Sequence, residues 1–166
     1  MVTIREFLPG DEAAFRTLNE EWIARYFGPL EARDEELVAD PRRHILEPGG
    51  RIFFALRDGQ AVGCCALLAA HPGEFEVAKM AVTESCRGQG VGRRLLEAVI
   101  AEARAAGAAR LSLETNSKLT PAIRLYESVG FRHLRQECFA ASPYTRCNVQ
   151  MELILGERAQ TSQTGL

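Results

Sequence analysis

Nowhere does the chain carry the roughly 18 consecutive apolar residues that a bilayer-crossing helix needs. Its start, Met1-Val2-Thr3-Ile4-Arg5, lacks the basic segment and long apolar run of an export signal. The expected setting is therefore cytoplasmic, with no membrane partner. An excess of one charge is missing as well. Twenty basic against 22 acidic residues leave a net charge of −2, which gives no electrostatic footprint for a nucleic acid. The five cysteines, Cys64, Cys65, Cys86, Cys138 and Cys147, are odd in number and show no C-x-x-C spacing. Reduced, mostly buried thiols are the expectation. Three scattered histidines, His44, His71 and His133, have no metal-ligand spacing, so no metal is expected. With 46% apolar residues over 166 positions, one domain with a real core is expected over 1–155. A polar tail over 156–166 has no apolar period.

Glycine, by contrast, is concentrated where it can do chemistry. Arg87-Gly88-Gln89-Gly90-Val91-Gly92 opens into Arg93-Arg94-Leu95-Leu96-Glu97-Ala98-Val99-Ile100, and Phe75 to Val82 before it reads as a buried strand. Strand, glycine loop and helix in that order make an anion site. Glycines let backbone N–H groups approach a ligand, and the first helical turn adds unpaired donors and a positive dipole end. Arg93 and Arg94 in that first turn oppose the dipole at about 0.3–1 kcal/mol each, which a polyanionic ligand such as a pyrophosphate would offset. A dinucleotide fingerprint starting at Gly88 would need glycine at position 93, and a P-loop needs G-K-S/T after its last glycine; Gly92-Arg93-Arg94 supplies neither.

What remains, Arg87, Gly90 and Gly92 as R-x-x-G-x-G, resembles the coenzyme A pyrophosphate loop of the GCN5-related N-acetyltransferase (GNAT) superfamily. Lys79-Met80-Ala81-Val82-Thr83 resembles that superfamily's central strand, and Leu111-Ser112-Leu113-Glu114-Thr115-Asn116 its fifth. Ala122-Ile123-Arg124-Leu125-Tyr126-Glu127-Ser128-Val129-Gly130-Phe131 is similar to its A-x-x-x-Y-x-x-x-G-F segment. Together these span about residues 50–155.

Taken in order, alternation predicts a strand over Thr3–Phe7. Phe15, Leu18, Trp22 and Tyr26 mark the apolar stripe of a helix begun near Asp11, with Asn19 and Glu20 beside the stripe. A second helix is predicted over Asp34–Asp40 within a largely acidic stretch from Glu31 to Glu47, which could attract a cationic substrate or be only a solvated face. A hairpin turns at Asp58-Gly59, and a strand follows over Glu74–Val82. Then come a helix over Gly92–Ala106, a strand over Arg110–Thr115 and a helix over Pro121–Val129. The last two strands, Phe131–Phe139 and Cys147–Leu155, would form a hairpin through Ser142-Pro143-Tyr144. This order implies an α/β (α+β) fold: a mixed, mostly antiparallel sheet of six to seven strands with helices on both faces, as the resemblance also implies.

The resemblance implies an acetyl-CoA-dependent N-acetyltransferase acting directly, in a ternary complex, on the primary amine of a small metabolite, with amino-acid-like compounds among the candidates. A protein N-terminal or lysine acetyltransferase and a non-catalytic acyl-CoA sensor are the alternatives. A lysine-like amine of pKa about 10.4 is unprotonated in about one molecule per thousand or fewer at pH 7, a cost near 4–5 kcal/mol, whereas a thiol of pKa about 8.5 leaves more readily. A base is thus the first need. Glu76 lies where the histone-modifying branch carries its catalytic glutamate; alternation puts it on one strand face with Ala78, Met80 and Val82, and Lys79 on the other. Glu114 or a water chain are alternative bases. Tyr126 matches the tyrosine that often protonates the coenzyme A sulfur. Backbone groups of Met80, Ala81 and Val82 would pair with the pantetheine arm. Arg87, Gly88, Gln89, Gly90, Val91, Gly92 and Arg93 would hold the pyrophosphate, and Asn116 the pantetheine or coenzyme. On the acceptor side Glu20, Tyr26, Glu114 and Arg146 are candidates, the last for a substrate carboxylate. A homodimer through an exposed strand edge is left open.

Overall fold

The structure is a computed structural model that describes residues 1–156; the expected tail, apart from Gly156, lies outside the described residues. Seven strands form one sheet: β1 Val2–Glu6, β2 Arg51–Arg57, β3 Gln60–Ala69, β4 Glu74–Val82, β5 Arg110–Thr115, β6 Arg132–His133 and β7 Val149–Ile154. Their spatial order is β1-β2-β3-β4-β5-β7-β6. Only β4 and β5 run parallel. The helices are α1 Glu12–Tyr26, α2 Ala32–Ala39, α3 Val91–Ala105 and α4 Thr120–Ser128. None of the helices among the described residues is long and apolar enough to cross a membrane.

The sheet has a core on each face because β2 and β3 are apolar between their ends, the pattern of strands buried on both sides. Phe53, Cys65, Leu67 and Val77 pack under α3 and α4, whereas Ile52, Phe54, Cys64 and Ala66 pack under α1 and α2. Helix α3 presents Val91, Leu95, Leu96, Val99 and Ala103 to the sheet, the spacing of a single apolar face. It lies close because β3 has glycine beneath it. A Cβ at Gly63 would sit 3.0 Å from Leu95 Cδ1 and 3.2 Å from the Ala81 carbonyl oxygen.

Two departures from regularity shape the centre. In β4, Cys64 opposes Ala81 but Ala66 opposes Ala78, so two residues, Lys79 and Met80, face the single residue Cys65. This is a β-bulge, and Lys79 sits in it at φ 54°, a left-handed conformation that costs a non-glycine residue roughly 1–2 kcal/mol. Second, the β4–β5 pairing stops at Val77 and Leu113 although both strands continue. Beyond that point they part.

The sequence-based boundaries shift by one or two residues at most elements, but the C-terminal hairpin differs in kind. In place of a strand over Phe131–Phe139 there are two paired residues, Arg132 and His133, and a 3₁₀ turn at Gln136–Cys138. The buried side chain of Gln150 explains the break. It accepts from the Ala140 N–H at 2.9 Å and donates to the Ala140 carbonyl at 2.8 Å, so an amide side chain satisfies backbone that a longer ladder would otherwise have paired.

Candidate active site

The gap where β4 and β5 part leads into a cleft of about 590 Å³ lined by Trp22, Tyr26, Met80, Val82, Arg87 and the loop into α3. Gly88 and Gly90 turn that loop at φ 73° and 81°, conformations that favour glycine. Gly90 precedes the helix, and the first bond into the helix is Arg94 N–H to the Gly90 carbonyl at 3.1 Å. Among the described residues, the N–H groups of residues 88–93 have no backbone acceptor. Unpaired donors at the start of a 15-residue helix favour an anion. Gly92 lies on α3 where it faces α4, its Cβ position 3.4 Å from Leu125 Cδ2. The exposed β4 edge, the glycine loop and the adjoining apolar wall fit an elongated ligand with a polyphosphate at one end.

Side chains around the loop divide. Arg87 bridges the cleft: it donates to the Val82 carbonyl at 3.2 Å and to the Tyr26 hydroxyl at 3.0 Å, and lies 4.9 Å over the Trp22 ring. Tyr26, an acceptor-side candidate, therefore belongs to the coenzyme-sized cleft. Arg93 lines the cleft and donates to Ser128 Oγ at 2.7 Å. Arg94 turns away and donates to the Val2 carbonyl on β1, so a carbonyl, not a ligand, offsets its place in the first turn. Gln89 turns to Arg57 at 2.6 Å and to the Ser85 carbonyl at 3.0 Å, leaving its backbone as its only group on the loop's inner side. Ala81 is buried in the α1–α2 core.

A second, smaller cavity of about 110 Å³ adjoins the cleft across Trp22, Met80, Leu119 and Ala122. Six sequence-predicted residues, Glu76, Met80, Glu114, Asn116, Tyr126 and Arg146, line it together, as do Asn19, Lys79, Tyr144 and Cys147. Burial and the neighbouring Glu114 charge push the Glu76 carboxyl up to about 7, against a partial offset from Arg33 and Lys79. Burial raises Glu114 as well. Tyr126 is 8% exposed, packs edge-on to Phe131 with ring centres 5.9 Å apart, and is held protonated well above the usual phenol range by burial. Glu20 lines neither cavity; it pairs with Arg16 at 2.6 Å along α1.

The bulge alters which side chains meet. Strict alternation placed Met80 and Val82 beside Glu76 and Lys79 opposite. The extra residue reverses the phase, so Met80 and Val82 pack toward α3 and α4 while Lys79 reaches Asp34 of α2. Asp34 is fully buried and accepts from Lys79 and, at 2.7 Å each, from both Nη atoms of Arg146. Its Oδ2 also takes the Glu31 N–H at 2.9 Å, one half of a capping box at the start of α2. Burial alone would raise its pKa; the Arg146 hydrogen bonds and Lys79 outweigh that and hold it at about 2. Arg146 further pairs with Glu31 at 3.0 Å and stacks 4.4 Å over Tyr144. Both of its Nη atoms are thus committed to carboxylates of this chain, in place of the substrate carboxylate expected from sequence. Asn116 is also occupied: it donates to the Arg146 carbonyl at 2.7 Å and accepts from the Lys118 N–H at 2.9 Å, bracing one loop against another.

Sequence reasoning missed Asp34, Lys79 and Tyr144. The available signal was the capping-box pair Glu31 and Asp34, which marks a helix start but gives no hint of a partner 45 residues away.

Known proteins converge on the same reading. The acetyltransferase (GNAT) family signature matches residues 15–131. The chain is 37% identical to an IAA acetyltransferase of Azospirillum brasilense over 78% of this chain and 84% of that protein. It is 33% identical to a mycothiol acetyltransferase of Thermomonospora curvata over 86% of this chain but only 48% of that longer protein. In fold it superposes on a GNAT-family acetyltransferase of Staphylococcus aureus with TM-score 0.85 at 19% identity, covering 94% and 100% of the two chains. It also superposes on a Salmonella typhimurium protein solved with its cofactor acetyl-CoA, with TM-score 0.76 at 22% identity and 96% of each chain covered. A glycine loop with unpaired amides, a parted strand pair and this kinship lead to one conclusion: the chain belongs to the GNAT acetyltransferase family and is an N-acetyltransferase that uses acetyl-CoA.

Proposed function

We propose that the protein transfers the acetyl group directly to the primary amine of a small molecule, within a ternary complex, with Glu76 as base and Tyr126 as acid. The observation that carries this reading is that Glu76 and Tyr126 line one cavity that adjoins the coenzyme-sized cleft. Acetyl-CoA supplies a thioester carbonyl and a thiol leaving group. Arg87, Arg93 and the amides of 88–93 would hold its phosphates, and the free edge of β4 from Met80 to Val82 its pantetheine arm. One of those edge N–H groups would polarise the thioester carbonyl.

Glu76, with a pKa of about 7, is about half ionised at neutral pH, the poise a base needs to take a proton and lose it again. The ammonium of the incoming amine gives its proton to the Glu76 carboxylate, and the freed lone pair attacks the carbonyl carbon. As the carbon–sulfur bond breaks, the Tyr126 hydroxyl donates to the sulfur and the phenolate takes the second proton from the acylated nitrogen, which leaves a neutral amide, a free thiol and Tyr126 protonated again. Direct transfer is supported by the thiol lining the acceptor cavity. Cys147 is pushed upward by burial and by Glu114, which leaves little thiolate for an acyl-enzyme.

A small acceptor is favoured over a polypeptide because the loop after β6 is strapped across the cavity, with Arg146 tied to α2 and the Thr145 N–H donating to Glu31 at 2.8 Å. Thiol release from acetyl-CoA over a panel of small amines tests the proposal. Amine-dependent release is expected; tight coenzyme binding without release for any amine would leave a sensor instead.

A further inference from the structure

The acceptor cavity contains four groups of formal charge, and the structure sorts them into two kinds. Lys79 and Arg146 are cations already neutralised from behind by Asp34 and Glu31. Glu76 and Glu114 are carboxylates that make no ion pair among the described residues; Glu114 has only neutral hydrogen-bond partners, the Gln150 amide at 3.5 Å and Ser142. Arg33, whose charge acts on Glu76, is paired with Glu36 at 2.8 Å. The uncompensated charge is therefore negative.

The same two carboxylates also line a third cavity, of about 220 Å³, on their far side from the cleft. It runs past His71, Glu74, Ser112 and Gln150. There Arg110 is paired with Glu152 at 2.7 Å and Glu74 at 3.6 Å. An acceptor extending from the reaction centre into this space passes Glu76 and Glu114 and meets no unpaired cation among the described residues.

Resting on the transferase reading above, we infer that Asp34 is a specificity-determining residue: by holding Lys79 and Arg146 away from the acceptor, it makes the site select a small diamine over an amine bearing a carboxylate. The reacting amine meets Glu76, and the second ammonium lies within the field of Glu114. Asp34 touches no substrate atom; it acts through the two cations it holds. Converting it to a neutral side chain leaves Arg146 to Glu31 and Lys79 without a partner, which returns one net positive charge to the cavity and should erase the preference.

Three probes of matched length test this: 1,5-diaminopentane, pentylamine and 5-aminopentanoate. In the wild type, kcat/KM should fall in that order, by about tenfold or more between the first and last, since each 1.4 kcal/mol of interaction is a factor of ten. Asp34→Asn should shrink the diamine-to-amino-acid ratio by about tenfold, through KM for the acceptor. A ratio that stays put in a folded variant overturns the inference. Should Asp34→Asn not fold, Glu114→Gln gives the second reading, because Glu114 stands outside the Asp34 network. It should bring the diamine down toward the monoamine, and an unchanged diamine advantage overturns the inference. Calorimetry with the same three compounds separates the two readings. If none is turned over but the diamine binds more tightly than the amino acid, the transferase reading fails and the selectivity stands. If 5-aminopentanoate is turned over at least as well as the diamine, the selectivity fails and the transferase reading stands.

Discussion

The glycine-loop cleft and the smaller cavity beside it share a wall, yet they are built by different means. The cleft is made of backbone: an unpaired strand edge, two left-handed glycines and the free amides at the start of α3. These depend on local sequence, because chain direction and glycine placement alone put donors where an anion sits. The cavity is made of side chains from α1, β4, β5, α4 and the loop before β7, held from behind by ion pairs to α2 that link residues more than 40 positions apart. The first region rests on a local pattern; the second can be altered without touching the first.

Substitutions should separate the two regions. The largest effect is expected from Glu76→Gln, which removes the proposed base. kcat should fall by about 10²–10³-fold with acetyl-CoA affinity unchanged by calorimetry; a parallel loss of coenzyme binding would mean the regions are not independent. Next is Asp34→Asn. Stripping a buried carboxylate from two cations should cost about 3–5 kcal/mol, seen as a Tm drop on the order of 10 °C. The acid side carries a linked signature. Because the folded pKa of Asp34 is depressed to about 2, its stabilising contribution is present above the unfolded value near 3.8 and is lost as pH falls through 2. The variant should lose that slope. Glu76 has the opposite sign: its folded pKa is raised, so between about 4.5 and 7 the folded state holds the extra proton and stability falls as pH rises. Removal of Glu76 should flatten that limb. The smallest effect is expected from Gly90→Ala. The added Cβ meets nothing within 4 Å but must adopt φ 81°, at about 1 kcal/mol. Acetyl-CoA should bind about fivefold more weakly, with the acceptor KM unmoved.

How far the sequence was legible follows the same division. The glycine loop, the strand before it and the tyrosine-bearing helix were readable, because each is a local pattern with a local cause. The mixed sheet with helices on both faces followed from element order. The bulge at Lys79 was not readable, since nothing in Ala78-Lys79-Met80 departs from an ordinary strand; its conformation is settled by the partner that the lysine finds on α2. Once the phase slipped by one residue, every sequence-based statement about faces downstream of Ala78 was reversed. Arg146 shows the same limit. Its place in a loop near the acceptor was legible, but its commitment to Asp34 and Glu31 was not, because the pairing is decided by how α2 packs. The short β6 has a similar origin in the side chain of Gln150, which replaces a backbone partner.

The central claim is that Glu76 takes the proton from the acceptor amine. The most direct test is the pH dependence of kcat/KM for the amine in the wild type and in Glu76→Gln. The wild type should show a bell, rising near pH 7 as Glu76 ionises and falling near pH 10 as the amine loses the proton that Glu76 takes. The variant, left to use only the free amine, should lose the limb near pH 7 and rise toward pH 10, and a limb near pH 7 that persists unchanged would contradict the account.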